Sequence, residues 1–418
     1  MQVSTLVCLD DLVREDTWPA SEFMFDLVRL PIFHATGLGM AKTPHRAEAS
    51  GLRAGFSLAQ FRALCHEGRP PAPWHTLHHA VPDAAAAYLM DHLPDGALVL
   101  GHDLPPWLLA RLEAAEQPWI DLRLSPLRFA SDLVVGLRSN VPAILAAVQP
   151  LALSVDMLVA DASRLAARLR LAQRRQGQLR LPADPVVYVG QTENDASLVD
   201  VDGRLVRATD HAETLYRLSR TGPMLYLPDP RAGDFARIER DAIARVTGQR
   251  VALCELDGYS LLACDDELML VGLSAGLLQE AAWFGRKAYA LHGTPGAPGF
   301  DAEPTSGGWL QIAPHRLMDE AFWATALGTT PRANALPVAP QPDLLRSLLN
   351  DWSGLAEATA RGHQWLRQGL ADAGLQRQGD ALRRAEAELT TTRDEVRQLR
   401  EQMAQLEALV REAARLAA

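Results

Sequence analysis

The chain has 418 residues, more than one ordinary hydrophobic core accommodates, so its length predicts two domains with additional sequence. Apolar residues make up 48% of it and charged residues 22%, as in soluble globular proteins. The net charge of −10 argues against a nucleic-acid partner, because binding phosphates requires a basic face, and an anionic ligand must therefore meet a local cluster of cations.

The sequence also limits where the protein works. Its four cysteines have neither the spacing of a zinc site nor that of a disulfide framework, and they suit a reducing compartment. The sequence shows no secretory signal and no uninterrupted apolar stretch of about 20 residues. We therefore expect a cytoplasmic protein.

The first half mixes strands and helices around a long stretch without a regular pattern. Strands are expected at 4–9, 97–100 and 118–124, and helices at 84–93, 106–116 and 132–180. Within the irregular residues 12–75, the segment Thr36-Gly-Leu-Gly-Met-Ala41 is of the kind that cradles phosphate but lacks the spacing of either phosphate-loop fingerprint. Arg123 and Arg128 lie at the end of the third strand, where their forked hydrogen bonds would suit a carboxylate. A set of surface ion pairs explains them equally well.

The second half repeats strand and helix regularly, which predicts a doubly wound parallel sheet. Strands are expected at 185–189, 224–227, 251–253, 267–272 and 287–291, and helices at 209–220, 234–247 and 277–284. Gly285 has a C′-like position after the last helix. Pro182 and Pro185 mark the entry to this half, so we place the domain boundary near residue 182.

The first candidate site is the loop Gly190-Gln-Thr-Glu-Asn-Asp-Ala-Ser197. It follows an apolar run that is typical of a buried parallel strand, so it lies at the strand's carboxyl end, where ligands of open α/β sheets gather. The loop offers amide, acid and hydroxyl groups on Gln191, Glu193, Asp195 and Ser197. A turn with a helix cap is the competing interpretation, because Asn, Asp and Ser favour both.

The second candidate site begins at Ser274, on the turn between a strand and the next helix. Ser274 and Gly276 lie where free backbone N–H groups and the helix dipole favour an anion. Glu280 is nearly two turns into that helix, within reach of the hydroxyls of a ribose. A plain serine N-cap and a solvent-exposed glutamate explain the same residues.

These segments together resemble the bacterial retaining β-Kdo transferases, which move the acidic keto-sugar Kdo from CMP-Kdo in capsule and lipopolysaccharide O-antigen assembly. Residues 191–197 are similar to the family motif Gln-Val-Glu-x-Asp-Ala-Ser, and the resemblance extends to residues 120–129 and 274–280. The family's Lys-Pro-His-Pro segment reads Leu227-Pro-Asp229-Pro here, with an acid in place of imidazole. The resemblance implies an α/β fold with two Rossmann-like domains in a GT-B-like arrangement.

The resemblance further implies a double displacement, in which a carboxylate attacks the anomeric carbon of the sugar and CMP leaves. Asp195 matches the family's aspartate and is expected to be the nucleophile. Glu193 or Asp229 would take the acceptor's proton. The scheme requires no metal or other cofactor.

The remaining candidate residues would bind the donor. Ser274, Gly276 and Glu280 would hold CMP, Gln191 and Ser197 would orient the sugar, and Arg123 or Arg128 would pair with the Kdo carboxylate. The expected acceptor is a lipid-linked bacterial surface glycan, which would bring the protein to the inner membrane face.

The domains are thus expected at 1–181, on the acceptor side, and at 182–335, on the nucleotide-sugar side, with a helical region at 342–418. From about residue 382, apolar residues recur every seven positions, which is typical of a coiled coil. The heptads still run at the last residue, as in a fragment of a longer protein or an oligomerising end. We expect homo-oligomers through this coil, and the resemblance adds further transferase modules as partners and O-antigen chain termination as a role. A long helix folded back on the body is the alternative.

Two other functions stay open from the sequence. One is a transferase of the same architecture that uses another nucleotide sugar, and the other is a non-catalytic scaffold that presents a coiled coil. Strong CMP binding without use of CMP-Kdo would favour the first, and no nucleotide binding would favour the second.

Overall fold

The computed structural model describes residues 3–14, 18–41, 44–45, 51–66, 72–176, 181–293, 308–332, 335 and 337–353. The chain divides into two compact units, Met1–Ala358 and Thr359–Ala418, of which the second lies outside the described residues. The heptad repeat predicted from about residue 382 therefore also lies outside them. The first unit contains two five-stranded sheets.

The described residues form ten strands and thirteen α-helices. The strands are β1 Thr5–Leu9, β2 Ala97–His102, β3 Trp119–Leu124, β4 Val135–Ser139, β5 Val186–Val189, β6 Met224–Leu227, β7 Ala252–Leu253, β8 Met269–Gly272, β9 Lys287–Ala290 and β10 Leu310–Ile312. The helices are α1 Trp18–Thr36, α2 Leu58–His66, α3 Asp83–Asp91, α4 Pro106–Ala114, α5 Pro142–Val148, α6 Val155–Gln176, α7 Ala212–Ser219, α8 Asp234–Thr247, α9 Gly258–Ala263, α10 Gly276–Ala281, α11 Pro314–Leu317, α12 Glu320–Leu327 and α13 Leu344–Ser353.

The second sheet confirms the doubly wound parallel arrangement predicted from the sequence. Its strand order is β7-β6-β5-β8-β9, and all four pairings are parallel. The chain builds outwards from β5 through β6 to β7 and then crosses back to β8, so β5 and β8 flank the switch point at which such sheets bind ligands. Gly285, at φ 70°, ends the helical segment after β8, as its predicted C′-like position requires.

The first sheet is mixed and differs from the Rossmann-like sheet that we expected. Its order is β1-β2-β3-β4-β10, with β1, β2 and β3 parallel and with β4 and β10 each antiparallel to their neighbours. Strand β10 lies within the range 182–335 that we assigned to the second domain, yet it pairs with β4. Ile312, Leu317 and Trp323 of this returning segment are buried in the core of the first sheet, and that burial explains why the segment belongs there.

Helices cover both faces of the first sheet. Successive side chains of a strand point to opposite faces, so neighbouring residues enter different cores. Leu98 and Leu100 join a core formed with α1, α5, α12 and α13, whereas Ala97 and Val99 join another formed with α2, α3 and α4. The near-continuous apolar character of β1 and β2 follows from this double burial.

Two stretches of the first half were predicted wrongly. The single helix expected at 132–180 is in fact strand β4 followed by α5 and α6, because the apolar run around Val135 and Leu137 fills the sheet core. The irregular stretch at 12–75 contains α1 and α2. Gly37, at φ 73°, follows α1 and its amide donates to the Phe33 carbonyl at 2.7 Å, so the start of the supposed phosphate-cradling segment is a helix end.

All four cysteines are buried and unpaired. No single helix among the described residues is both long and apolar enough to cross a bilayer. The bent pair of helices at 142–151 and 155–175 reaches that length and apolar character when the two are taken together.

Candidate active site

The loops after β5 and β8 meet through a buried pair, Gln191 and Ser274. The Ser274 amide donates to Gln191 Oε1 at 2.7 Å, and Gln191 Nε2 donates to the Ser274 hydroxyl at 3.0 Å. Gln191 is 5% exposed and Ser274 is 4% exposed, so these hydrogen bonds are shielded from water. The two candidate sites that the sequence indicated are therefore parts of one site.

Ser197 links Asp195 to this pair. Its hydroxyl lies 2.7 Å from the Ser274 hydroxyl and donates to Asp195 Oδ1 at 2.8 Å, while its amide donates to the same oxygen at 2.9 Å. Asp195 thus caps the 3₁₀ turn Ala196–Leu198, as the competing interpretation expected. The half-buried side chain keeps its other oxygen, Oδ2, without a hydrogen bond from any residue in the described part of the chain.

The backbone of this loop lies directly against a buried network of two tyrosines and a glutamate. A Cβ at Gly190 would overlap the Tyr226 hydroxyl, so the strand end requires glycine. Tyr226 and Tyr188 donate to the two oxygens of Glu239 at 2.8 and 3.1 Å. Burial raises the pKa of Glu239, and the tyrosine hydroxyls oppose the rise. The sequence indicated the strand end but not this network, because its members are far apart along the chain.

Arg123 reaches the site from the end of β3 in the first sheet. Its Nε lies 2.9 Å from Asp103 Oδ1, and its guanidinium lies 5.1 Å from the centre of the Trp309 ring. Asp103 raises the pKa of Arg123 most, burial lowers it, and the charges of Asp121 and Asp195 raise it further. The pKa of Arg123 thus responds to the charge of Asp195, which belongs to the other sheet.

A second cation, Arg231, comes from the loop after β6. Asp229 accepts a hydrogen bond from the Arg231 amide at 2.8 Å and contacts its guanidinium at 3.1 Å. Hydrogen bonding to Asp229 raises the pKa of Arg231, burial lowers it, and the charges of Asp229 and Asp195 raise it again. Asp229 is thus neutralised within its own loop, and Arg231 brings positive charge to a segment in which the resembled family has lysine at the position of Leu227. Arg231 was not among the residues predicted from the sequence, although it lies only two residues from Asp229.

The structure does not bring Glu193 into the hydrogen-bonded cluster around Asp195. Its side chain is 52% exposed and its carboxylate pairs with Arg207 at 3.1 Å. Arg207 also donates to the Glu193 carbonyl at 3.1 Å and lies over the Phe235 ring. The local fold thus uses Glu193 to hold the loop against the start of α8.

Glu280 lies inside the junction between the two sheets. Its carboxylate accepts hydrogen bonds from the backbone amides of Arg128 and Phe129, the latter at 3.1 Å, and from the Tyr259 hydroxyl at 2.8 Å. It is only 3% exposed, and burial raises its pKa to about 7 against the opposing effect of these hydrogen bonds. Both oxygens are engaged within the protein. This arrangement differs from the ribose contact expected from the sequence.

Arg128 and Gly276 belong to the same junction. Burial lowers the pKa of Arg128, and Glu280 opposes this effect. The Arg128 carbonyl accepts a hydrogen bond from Arg346 of α13 at 3.1 Å. A Cβ at Gly276 would lie 3.6 Å from the Pro126 side chain, so the first turn of α10 packs against the loop after β3. Loops of both sheets therefore meet beside the Asp195 cluster.

By its architecture the chain is a two-sheet α/β protein with one polar site to which both sheets contribute. In the described residues no group of three or more His, Cys, Asp and Glu side chains is arranged to hold a metal ion. No protein-family model and no curated protein matches the sequence.

Solved structures similar to the chain include two of KpsC from Thermosulfurimonas dismutans. The beta Kdo 2,7 transferase has a TM-score of 0.27 and 15% sequence identity, with 55% of this chain and 76% of that chain covered. The beta Kdo 2,4 transferase has a TM-score of 0.29 and 13% identity, with 47% and 69% covered.

Proposed function

We propose that this protein is a retaining glycosyltransferase that moves Kdo from CMP-Kdo to a bacterial surface glycan by double displacement through Asp195. The setting of Asp195 is the observation that supports this most. One carboxylate oxygen is held by Ser197, and the other accepts no hydrogen bond from the described residues. A nucleophilic carboxylate needs this combination of fixed orientation and a free lone pair. The similarity of residues 191–197 to the transferase motif supports the same role.

The charges around Asp195 suit an anionic donor. Arg123 and Arg231 come from different sheets, and the charge of Asp195 contributes to a raised pKa in each. CMP-Kdo carries a phosphate and a carboxylate, so two guanidiniums, one from each sheet, would match its charges. These cations would also offset the repulsion between the Asp195 carboxylate and the incoming anion.

In the proposed reaction, Asp195 Oδ2 attacks the anomeric carbon while the bond to the CMP phosphate breaks. Arg123 and Arg231 would meet the phosphate and the carboxylate of the donor, and Gln191 with Ser197 would hold the nucleophile and orient the sugar. We no longer assign the phosphate to Ser274 and Gly276, because the buried Ser274 amide is bonded to Gln191 and Gly276 packs against Pro126. An acceptor hydroxyl then displaces Asp195, which gives net retention. We no longer assign ribose binding to Glu280 or sugar binding to Arg128, because both lie in the junction between the sheets.

The same proposal includes a biological setting. A lipid-linked glycan acceptor, a role in ending O-antigen chains, and oligomers formed through the heptads after residue 382 would follow from the resemblance and the repeat. Another nucleotide sugar is the second candidate donor, and Asp229 favours it, because this acid stands where the resembled family has histidine.

Replacement of the nucleophile tests the proposal. Asn at position 195 retains Oδ1, which accepts from the Ser197 amide and hydroxyl, but removes the nucleophilic oxygen. With CMP-Kdo generated in situ, Asp195→Asn should slow CMP release by roughly 10³-fold or more. CMP affinity measured by calorimetry should stay nearly unchanged.

Asp319→Asn is the matched control, because Asp319 also caps a helix through the amide two residues on, Ala321, at 2.9 Å. It should release CMP at the rate of the unmodified protein. Transfer by Asp195→Asn at a similar rate, with retained stereochemistry, would contradict the mechanism. CMP binding without any CMP-Kdo turnover in the unmodified protein would favour another donor.

A further inference from the structure

The carboxyl edge of the first sheet carries polar groups that the proposed transfer does not yet use. Strands β2 and β3 are parallel, so Asp103, which follows β2, lies at the same edge as Arg123 at the end of β3. The Asp103 carboxylate contacts Arg123 at 2.9 Å, and Arg123 in turn interacts with Asp195. Asp103 is thus a carboxylate of the first sheet that is linked to the proposed nucleophile through Arg123.

Asp103 has a left-handed backbone conformation. Its φ of 51° is in the left-handed region, which residues other than glycine seldom adopt. The amide of Asp103 donates to the Leu122 carbonyl at 2.9 Å, which fixes this conformation to the neighbouring strand. The side chain stays 43% exposed. The fold therefore fixes the backbone of a residue whose carboxylate a ligand can reach.

A buried histidine lies behind Asp103. His102 is 4% exposed, and its Nδ1 lies 3.1 Å from the Ser21 hydroxyl. Its Nε2 is 3.9 Å from Asp103 Oδ2 and has no hydrogen-bond partner among the residues that the structure describes. A buried polar atom without a partner is costly, and a bound hydroxyl group is one way to satisfy it. A hydroxyl between His102 Nε2 and Asp103 Oδ2 would pair both atoms.

We propose that Asp103 binds the acceptor's sugar hydroxyl and takes its proton in the second half of the transfer, with His102 orienting that hydroxyl. This inference rests on the proposed function. The O–H bond of the acceptor breaks and its proton goes to Asp103 Oδ2. The oxygen's electron pair forms the new bond to the anomeric carbon, and the ester bond to Asp195 breaks, which regenerates the Asp195 carboxylate. Asp103 then returns the proton to solvent.

The charges around Asp103 support this sequence of steps. Burial raises the pKa of Asp103, but Arg123, His102, Arg138 and Arg14 together hold it below its usual value. Arg123 is the largest of these lowering influences. Once Arg123 pairs with the anionic donor, its charge lowers the pKa of Asp103 less, and the carboxylate becomes a stronger base. The base is thus strengthened at the stage when the acceptor must lose its proton.

Asp103 also suits the role better than the two acids that the sequence suggested for this proton. Glu193 and Asp229 pair with Arg207 and Arg231, as Asp103 pairs with Arg123, but only Asp103 among the three has the partnerless His102 Nε2 beside its carboxylate, as far as the described residues show. Asp103 lies at the carboxyl edge of the first sheet, whereas Asp195 follows a strand of the second sheet. An acceptor that enters from the first sheet would therefore meet Asp103 before it reaches the sugar.

The test separates the two halves of the reaction. The unmodified protein and the Asp103→Asn variant are each incubated with CMP-Kdo generated in situ. Intact-protein mass spectrometry then follows the glycosyl adduct, first with water as the acceptor and then with sodium azide. Asn tolerates the left-handed conformation, so the variant should fold. We expect the adduct to form at a near-normal rate and its breakdown by water to slow by roughly 10²- to 10⁴-fold. Azide needs no deprotonation and should restore breakdown.

Asp184→Asn is the matched control, because Asp184 also has a left-handed backbone, at φ 47°, but is exposed at the amino end of β5. Its adduct should turn over at the rate of the unmodified protein. Breakdown at that rate in Asp103→Asn would overturn the inference, as would slow breakdown that azide does not accelerate. If the unmodified protein forms no adduct, the proposed function fails, and this inference fails with it.

Discussion

Two carboxylates follow neighbouring strands of the second sheet, and their surroundings are opposite. Asp195, after β5, is half-buried and keeps one oxygen without a partner among the described residues, whereas Glu280, after β8, is 3% exposed with both oxygens hydrogen-bonded. Both were predicted to contact a ligand, because both follow the carboxyl ends of parallel strands. Position in the sheet brings a residue to the functional edge, but packing against the other sheet decides what its side chain does there.

Of the substitutions that test this contrast, the removal of the Glu280 carboxylate is expected to have the largest effect on stability. Glu280→Ala would leave the amides of Arg128 and Phe129 and the hydroxyl of Tyr259 without their acceptor in a buried place. We expect the free energy of unfolding to fall by about 3–5 kcal/mol. Urea denaturation measures this change. A loss below about 1 kcal/mol would show that Glu280 does not brace the junction.

The next largest expected effect is a pH dependence of the free energy of unfolding, caused by the raised pKa of Glu280. That pKa is about 7 in the folded protein against an ordinary value of 4.5, so the folded state binds the proton more tightly than the unfolded state does. This contribution to stability is fully present below pH 4.5 and is lost as the pH rises through 7. Relative to Glu280→Gln, the protein should lose up to about 3 kcal/mol of unfolding free energy between pH 4.5 and about 8. A difference between the two proteins that does not change with pH would refute the assignment.

The smallest effect is expected at Glu193, which is also a carboxylate with an arginine partner but is 52% exposed. Its ion pair with Arg207 is screened by water, so Glu193→Ala should lower the free energy of unfolding by about 1 kcal/mol or less. The same urea titration serves as the measurement. A loss as large as that of Glu280→Ala would mean that exposure does not separate the two carboxylates.

Much of the second sheet was predictable because each of its strands is a short apolar run bounded by turn residues. Helix α8, Asp234–Thr247, has the predicted bounds, and β6 does too. Strand β4 was hidden because an apolar run such as that around Val135 fits a buried helix as well as a strand. Strand β10 pairs with β4 across a large distance in sequence, and no local pattern reports such a pairing.

The candidate site was predictable to a similar extent. Strand-end reasoning indicated Gln191, Asp195 and Ser274, and the structure joins them through Ser197. The partners that define their environment, Asp103, Arg231 and Glu239, lie on other loops or helices, and their contribution depends on the tertiary fold. The ribose role expected for Glu280 could not be checked from the sequence either, because the amides that bind its carboxylate are more than 100 residues away along the chain.

Location of the covalent adduct decides whether Asp195 is the nucleophile. The protein is incubated with CMP-Kdo generated in situ and without acceptor, quenched, digested with a protease and mapped by mass spectrometry. We predict Kdo attached to Asp195 in the peptide that contains residues 191–197, and no adduct in Asp195→Asn. Attachment to Glu193 or Asp229 would keep the reaction class but move the nucleophile. Retaining transfer that leaves no adduct on the protein, and that persists in Asp195→Asn, would contradict the double displacement.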